Sequence, residues 1–240
     1  MDDYTIEATI PDGASSGPVI LTDNVTGCIG VGPVFNIKSS CVSTVTLQLK
    51  LYLQGYYLSG GSMNAALYNA GVSLSSLDCD TIHVCLMDAN TFATVECSEV
   101  ILSVDGIASC EFSPLTNNQD YFIRVTHRSA LETWSSALVK MQSLTNYDFS
   151  ADATNAYASN EVEVEPGVWA FWNGDVSDGN TTGFQDGFVE SSDYSAIENG
   201  SQSFLFGYEV QDITGDGLVE SSDYGMIENN SQLFIISAHP

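Results

Sequence analysis

Basic residues are scarce in this chain: five Lys and Arg stand against thirty-one Asp and Glu, for a formal net charge of −26. That scarcity excludes nucleic-acid binding, because nothing here can neutralise a phosphate backbone. It equally excludes docking on an anionic membrane, and no apolar run is long enough to span a bilayer. A signal peptide is missing too, since Met1-Asp2-Asp3 is acidic where such a peptide is basic and then apolar. An exported protein would be represented here by a mature form or a fragment. No Gly-x-Ser-x-Gly, His-Glu-x-x-His or phosphate loop occurs. His83, His127 and His239 are isolated, and His127-Arg128 at the end of a strand reads as surface or structural. A glycosidase needs paired carboxylates, but the carboxylates that stand out fit metal positions instead. The expectation is a non-enzymatic protein.

Hydrophobic residues make up 44% of the 240. That is enough to bury a core in one large or two modest domains, and too many for a disordered chain. The last basic residue is Lys140. The acidic stretch that follows is either a solubilising surface or a set of charges neutralised by bound divalent cations. Cys28, Cys41, Cys79, Cys85, Cys97 and Cys110 all fall in the first half, with no Cys-x-x-Cys pair and no His at zinc-site spacing. Their even number predicts three disulfides and an extracellular or cell-surface location, with buried free thiols as the alternative.

Residues 1–42 read as an extended N-terminal arm. Tyr4, Ile6, Ala8 and Ile10 alternate with Thr5, Glu7 and Thr9 at a strand's period of two. Pro11-Asp12-Gly13 turns the chain, and Gly30, Gly32 and Pro33 mark loop. Over residues 43–165 strands follow one another: TVTLQLKLYLQGYY, TIHVCLMDA, TFATVECSEVILSV, GIASCEFSPL, YFIRVTHR and the weaker SALVKMQSL and YDFS. They are rich in β-branched and aromatic residues, and only MNAALYNAG hints at helix. The fold class expected is mainly β, an antiparallel sandwich of two packed sheets. The turn Asp88-Ala89-Asn90 sets Cys85 nearly opposite Cys97.

Residues 166–240 contain a repeat. DGFVESSDYSAIENGSQSF, from Asp186, returns thirty residues later as DGLVESSDYGMIENNSQLF, from Asp216. Each unit is too short to bury a core alone, so the two are expected to pack face to face. The second unit fits a calcium loop, in which oxygen ligands surround a hard cation and a glycine makes the sharp turn. Asp212, Thr214 and Asp216 take its first, third and fifth places. Gly217 supplies the turn, Leu218 offers a backbone carbonyl, Glu220 takes the ninth place and Asp223 closes the loop. Val219 holds the apolar position through which paired loops bond to each other. The first unit keeps Asp186, Gly187, Phe188, Val189, Glu190 and Asp193, with Asp175 and Ser177 as its opening ligands. About seven extra residues before Asp186 stretch that loop and make Asp178 an added candidate ligand. One Ca2+ is expected at the second loop, and a second at the first. Tyr194 and Ile197, like Tyr224 and Ile227, have helical spacing, predicting one or two turns that stop at Asn199-Gly200 or Asn229-Asn230.

A calcium loop followed by a short helix, repeated once, resembles the dockerin family over residues 173–240, on the strength of Gly174-Asp175-Val176, DGFVESSDY and DITGDGLVESSDY. In dockerins the two residues before the last ligand contact a cohesin partner, and Ser191-Ser192 and Ser221-Ser222 match them. Positions further along, basic in many cohesin-binding dockerins, are acidic or Asn here, which argues against cohesin. More broadly, GYY, YFIRVTHR…LETWSS and GVWA…GDV look like the C-terminal region of large secreted bacterial surface proteins. The expected function is a calcium-binding structural subunit of an extracellular assembly. Its partners are other copies, joined by N-terminal strand exchange, or another surface protein. The alternative is a terminal anchoring, adhesion or carbohydrate-associated module. Trp134, Trp169 and Trp172 serve core packing, or else a sugar-stacking platform.

Overall fold

The computed structural model describes residues 16–22, 24–35 and 44–240. The expected strand at residues 4–10, the Pro11-Asp12-Gly13 turn and Cys41 lie outside the described residues. The chain divides into two compact units, Met1–Ser43 and Thr44–Pro240.

In the first unit β1 (Gly17–Thr22) and β2 (Ile29–Phe35) form an antiparallel pair. Gly30, Gly32 and Pro33, expected in a loop, are part of β2. The ladder steps from Pro18↔Val34 to Ile20↔Val31, so β2 carries one residue more than β1 across this step. A proline has no N–H to give a ladder, and such a bulge is where a strand accepts one.

The second unit opens with β3 (Val45–Lys50), β4 (Tyr57–Ser59), β5 (Ser62–Met63) and the single turn α1 (Ala66–Asn69). The strands β6 (Asp78–Asp88), β7 (Thr94–Ser103), β8 (Ile107–Phe112) and β9 (Asp120–His127) follow, then β10 (Thr133–Trp134), β11 (Val139–Lys140) and β12 (Leu144–Asp148). One sheet has the order β10-β9-β6-β7, with β11 also on β9; the other has the order β12-β3-β8. Val45, Leu47 and Leu49 of β3 and Ala108, Cys110 and Phe112 of β8 turn the same alternate faces inward. They meet Ile82, Val84 and Leu86 of β6 and Ile123 and Val125 of β9 in one core.

The chain is thus mainly β, with several antiparallel sheets and a few short helices, but it is not wholly antiparallel. β12 lies parallel to β3, Leu144 opposite Thr46 through Asp148 opposite Lys50. Its predecessor β11 belongs to the other sheet. β12 therefore reaches β3 after the chain has passed through the other sheet, which supplies the crossover that a parallel neighbour needs. The long apolar run after residue 44 also stops being strand at Lys50, although Leu51, Tyr52, Leu53 and Tyr56 stay buried. Within this stretch the backbone also meets the chain entering the C-terminal segment: Gln54 N–H donates to Phe171 O at 3.0 Å and Phe171 N–H to Tyr52 O at 2.9 Å, while Leu51 N–H donates to Gly106 O at 3.0 Å.

That segment begins after the pair β13 (Val162–Glu165) and β14 (Val168–Ala170), and holds β15 (Phe188–Val189), α2 (Ser191–Gln202), α3 (Ser221–Ser231) and β16 (Ile235–Ile236). Val176, Val189, Ala196, Ile197, Ile213, Val219, Ile227 and Ile235 make its core, to which the sandwich adds Leu131. The Tyr194 and Tyr224 rings meet at 4.8 Å, so the two repeat units do pack face to face.

Cys85 and Cys97 are opposite in the β6–β7 register and bonded. The expectation of three disulfides is corrected, because Cys79 and Cys110 are free thiols inside the sandwich core. Cys79 Sγ lies against Met63 Sδ at 4.0 Å, and burial pushes the Cys110 thiol up to about 12. Both act as small apolar side chains. Cys28 is an exposed thiol. Alkylation followed by mass measurement should label Cys79 and Cys110 only after unfolding, and Cys85 and Cys97 only after reduction. Labelling of Cys85 in unfolded, unreduced protein would remove the bridge.

Candidate metal centre

Each repeat closes a ring of backbone around its two buried aspartates. In the second, Asp212 Oδ1 accepts N–H bonds from Gly215 at 2.8 Å and Asp216 at 3.2 Å, and Oδ2 accepts one from Gly217 at 3.0 Å. Asp223 Oδ1 accepts from the Thr214 N–H at 2.9 Å and its hydroxyl at 3.0 Å, and Oδ2 accepts from Glu220 N–H at 3.0 Å. Gly217 has φ +92°, the left-handed turn that the pattern requires of its sixth place. Asp212 and Asp223 are buried, whereas Asp216, Leu218 and Glu220 are exposed.

The first ring repeats this plan despite its insertion. Asp175 accepts from the Asp186 N–H at 3.3 Å and the Gly187 N–H at 3.1 Å. Asp193 accepts from Val176 at 2.7 Å, Ser177 at 2.9 Å and Glu190 at 2.9 Å. The inserted residues thus leave after Ser177 and return in register at Asp186. Asp178 does not join the ring: its Oδ1 accepts the N–H groups of Asn180 at 2.9 Å and Thr181 at 2.6 Å and heads a turn of its own. Gln185, unremarked in the sequence, ties the insertion down by donating to Asp175 O at 2.7 Å and Ala130 O at 2.9 Å.

Contrary to the expectation for Val219, the two rings do not bond to each other there. Val189 pairs with Ile235 and Phe188 with Ile236, beyond the second helix. Val219 N–H donates to Leu205 O at 3.0 Å and Leu218 bridges Phe206, beyond the first helix. Each ring is thus clamped by the tail of the other repeat. The helices are also longer than expected, α2 with 12 residues and α3 with 11. Asn199-Gly200 does not stop α2, because Gly200 is needed inside it: a Cβ there would stand 3.2 Å from Val219 Cγ1. Each helix starts with a capping box, Glu190 with Asp193 and Glu220 with Asp223.

Burial first, and then the Asp193 charge, pushes the Asp175 carboxyl up to about 7. Burial likewise raises Asp193 to about 6, Asp212 to about 6 and Asp223 above its usual value. Each ring therefore concentrates negative charge in a poorly solvated place. As they stand, no three Asp, Glu, His or Cys side chains among the described residues converge closely enough to hold a metal ion; the ring aspartates face backbone N–H groups. An ionised carboxylate has about four lone-pair sites, so Asp175, Asp193 and Asp223 keep capacity for a cation, whereas Asp212, which also accepts from the Thr214 hydroxyl at 3.4 Å, would have to give up a bond. The all-oxygen donor set and the left-handed glycines at the turns fit Ca2+.

A second constellation escaped the sequence reading. Asp80, fully buried, accepts at Oδ2 from Tyr56 Oη at 2.8 Å and Arg128 Nε at 2.9 Å, and at Oδ1 from Thr81 N–H at 2.7 Å and from Tyr208 Oη. Arg128 also donates to Tyr56 Oη at 2.6 Å and to Glu209 O, and lies 4.3 Å over the Tyr208 ring. His127 is buried, not on the surface, with Nε2 3.1 Å from Asp80 Oδ2. Ser129 N–H donates to its Nδ1 at 3.3 Å, so Nε2 carries the proton. Burial lowers the His127 pKa, against the opposing pull of the Asp80 charge. For Asp80 burial is outweighed by His127, Arg128 and Tyr208, which hold the carboxyl below its usual range. These residues are scattered from 56 to 209, and no local spacing announces them. Trp134 is buried beside Cys85 and Met87, and Trp172 packs against the C-terminal core.

No protein-family model and no curated protein matches the sequence. Among solved structures, the chain is similar to a chain of the type II cohesin–X-dockerin complex from Acetivibrio cellulolyticus, at 12% identity and a TM-score of 0.47. That alignment covers 79% of this chain and 99% of the other. The structure of S.CueP aligns at 11% identity and a TM-score of 0.24, over 55% of this chain and 76% of that one. Likeness at this level carries no functional assignment, which rests on the residues themselves.

Asp80→Asn strands Arg128 without its charge partner and should cost about 3–5 kcal/mol at neutral pH. Because the Asp80 pKa is depressed in the fold, its contribution is full above the ordinary carboxylate value and fades as pH falls through the native one. Denaturant unfolding should therefore show the gap between wild type and variant narrowing below about pH 4. A gap that is constant from pH 7 to 2 would contradict the charge assignment.

Proposed function

We propose that this chain is a non-enzymatic, extracellular protein-binding module whose C-terminal repeat holds Ca2+ in two loops. The observation that carries the reading is the pair of matching rings, each closed on its first and last aspartate, thirty residues apart. Asp212, Thr214, Asp216, Leu218, Glu220 and Asp223 would hold one ion. Asp175, Ser177, Asp186, Phe188, Glu190 and Asp193 would hold the other. The ion offsets the like charge that burial crowds into each ring, and so stiffens the two helices and the two tails clamped across them. The Cys85–Cys97 bridge is consistent with an oxidising compartment. At a hundredfold excess over Kd each site should stabilise the fold by about 2.7 kcal/mol, read as a rise in Tm between chelator and Ca2+. Calorimetric titration should show Asp193→Ala and Asp223→Ala each losing one ion. If both variants bind as the wild type does, the loop assignment is wrong.

Self-association is the second reading, and the first unit favours it. Val19, Ile20, Ile29 and Val31 of the β1–β2 pair are exposed, and a two-stranded sheet with bare apolar side chains is marginal alone. Pairing with another copy would cover them. Deleting residues 1–43 should leave a folded, Ca2+-binding protein that stays monomeric by light scattering, while the full chain associates. A full chain that is monomeric in millimolar Ca2+ would leave only the module reading.

A further inference from the structure

Away from the repeat, the chain between β12 and β13 carries three carboxylates with an unexplained feature. Asp148 ends β12, and Asp152 starts the first of two 3-10 turns, Ala153–Asn155 and Tyr157–Ser159. Both aspartates are exposed, and each commits only Oδ1. Asp148 accepts from the Ser150 N–H at 2.8 Å and hydroxyl at 2.7 Å, and Asp152 from the Thr154 N–H at 2.9 Å and hydroxyl at 2.7 Å. Glu161 follows the second turn and lies only 6% exposed. Neither of its carboxylate oxygens has a hydrogen-bond partner. Burial, and then the charges of Asp148 and Asp152, push it up to about 9, with no positive group offsetting them.

An ionised carboxylate buried without a partner costs several kcal/mol, and two negative neighbours add to that. Something positive must complete the site, and it is either a proton or a cation. The flanking aspartates decide between them. A proton needs no second and third carboxylate, whereas a hard divalent cation takes several oxygen ligands. Asp148 and Asp152 are exposed to solvent and Glu161 is buried; as they stand, the three side chains do not converge on one point.

We propose that Asp148, Asp152 and Glu161 form a Ca2+ site separate from the paired loops. Side-chain rotation of the two exposed aspartates swings their free Oδ2 atoms towards Glu161. The ion then fastens the end of β12 to the start of β13, beside the bond from Trp169 N–H to Ser150 O at 3.0 Å. It stiffens the stretch through which the sandwich leads into the repeat.

Calorimetric Ca2+ titration on four forms of the full chain separates this site from the loops. Wild type should bind one ion more than the loops account for. The double variant Asp193→Ala, Asp223→Ala should still bind one. Adding Glu161→Gln to it should abolish that ion, and Glu161→Gln alone should lose one from the wild type. Gln is isosteric and removes the orphan charge, so this variant should fold at least as well in chelator. Exposed Asp152→Asn should weaken the same ion by tenfold or more. Unchanged stoichiometry in Glu161→Gln, or no binding by the loop double variant, overturns the site; in that case Glu161 is a buried neutral acid. Failure of the loops alone would leave one ion, still sensitive to Glu161→Gln.

Discussion

The Asp80 carboxylate holds the sandwich and the repeat in one arrangement. It gathers Tyr56, from the irregular chain after β3; Arg128, from the end of β9; and Tyr208, from between the repeat units. Arg128 extends the link to the Glu209 carbonyl. Breaking such a network leaves a buried charge uncompensated, so each member depends on the others. Around it the contacts are close. A Cβ on Gly55 would stand 1.9 Å from Ile213 O, and Asn64 and Asn69 donate to the Thr214 and Gly215 carbonyls of the second ring at 2.8 and 3.0 Å. The second ring is thus built partly against the sandwich, which explains why residues 44–240 form one compact unit.

Charge is the opposing constraint. With a net −26, the chain repels itself, and the ring aspartates are buried as well. In the absence of an ion they are balanced by backbone N–H groups, the Thr214 hydroxyl, the Arg128 charge near Asp212 and a raised affinity for protons. In the proposed reading, bound Ca2+ would make the same geometry favourable at neutral pH. The tail exchange between repeats lets each ring feel the other, since the strand that clamps one follows the helix launched by the other. An ion in either ring would therefore order parts of both.

What the sequence determined by itself was whatever short-range chemistry or exact repetition enforces. Alternating apolar residues place most sandwich strands, because a half-buried strand has a period of two. The hairpin register brings Cys85 to Cys97, and the thirty-residue repeat places Asp212, Asp216, Gly217 and Asp223 in a ring that local N–H bonds then close. The spacing from Asp186 to Asp193 is as strict, so that half of the first ring was readable despite the insertion before it.

Only the tertiary structure decided the long-range choices, where several partners compete for one group. Asp178, a candidate ligand in sequence, gives its Oδ1 to the nearby Asn180 and Thr181 N–H groups and stands outside the bonds that close the ring. Val189 and Val219 could have bonded to each other; the tails after the helices took those edges. Gly200 reads as a stop until Val219 presses against it. Cys79 and Cys110 have the residue type for a bridge but face a core that uses them as apolar side chains. Asp80, Arg128 and Tyr208 are far apart along the chain, and a buried ion network has no period. It exists only once folding has removed water from around all its members together, and that event has no local signature in the sequence.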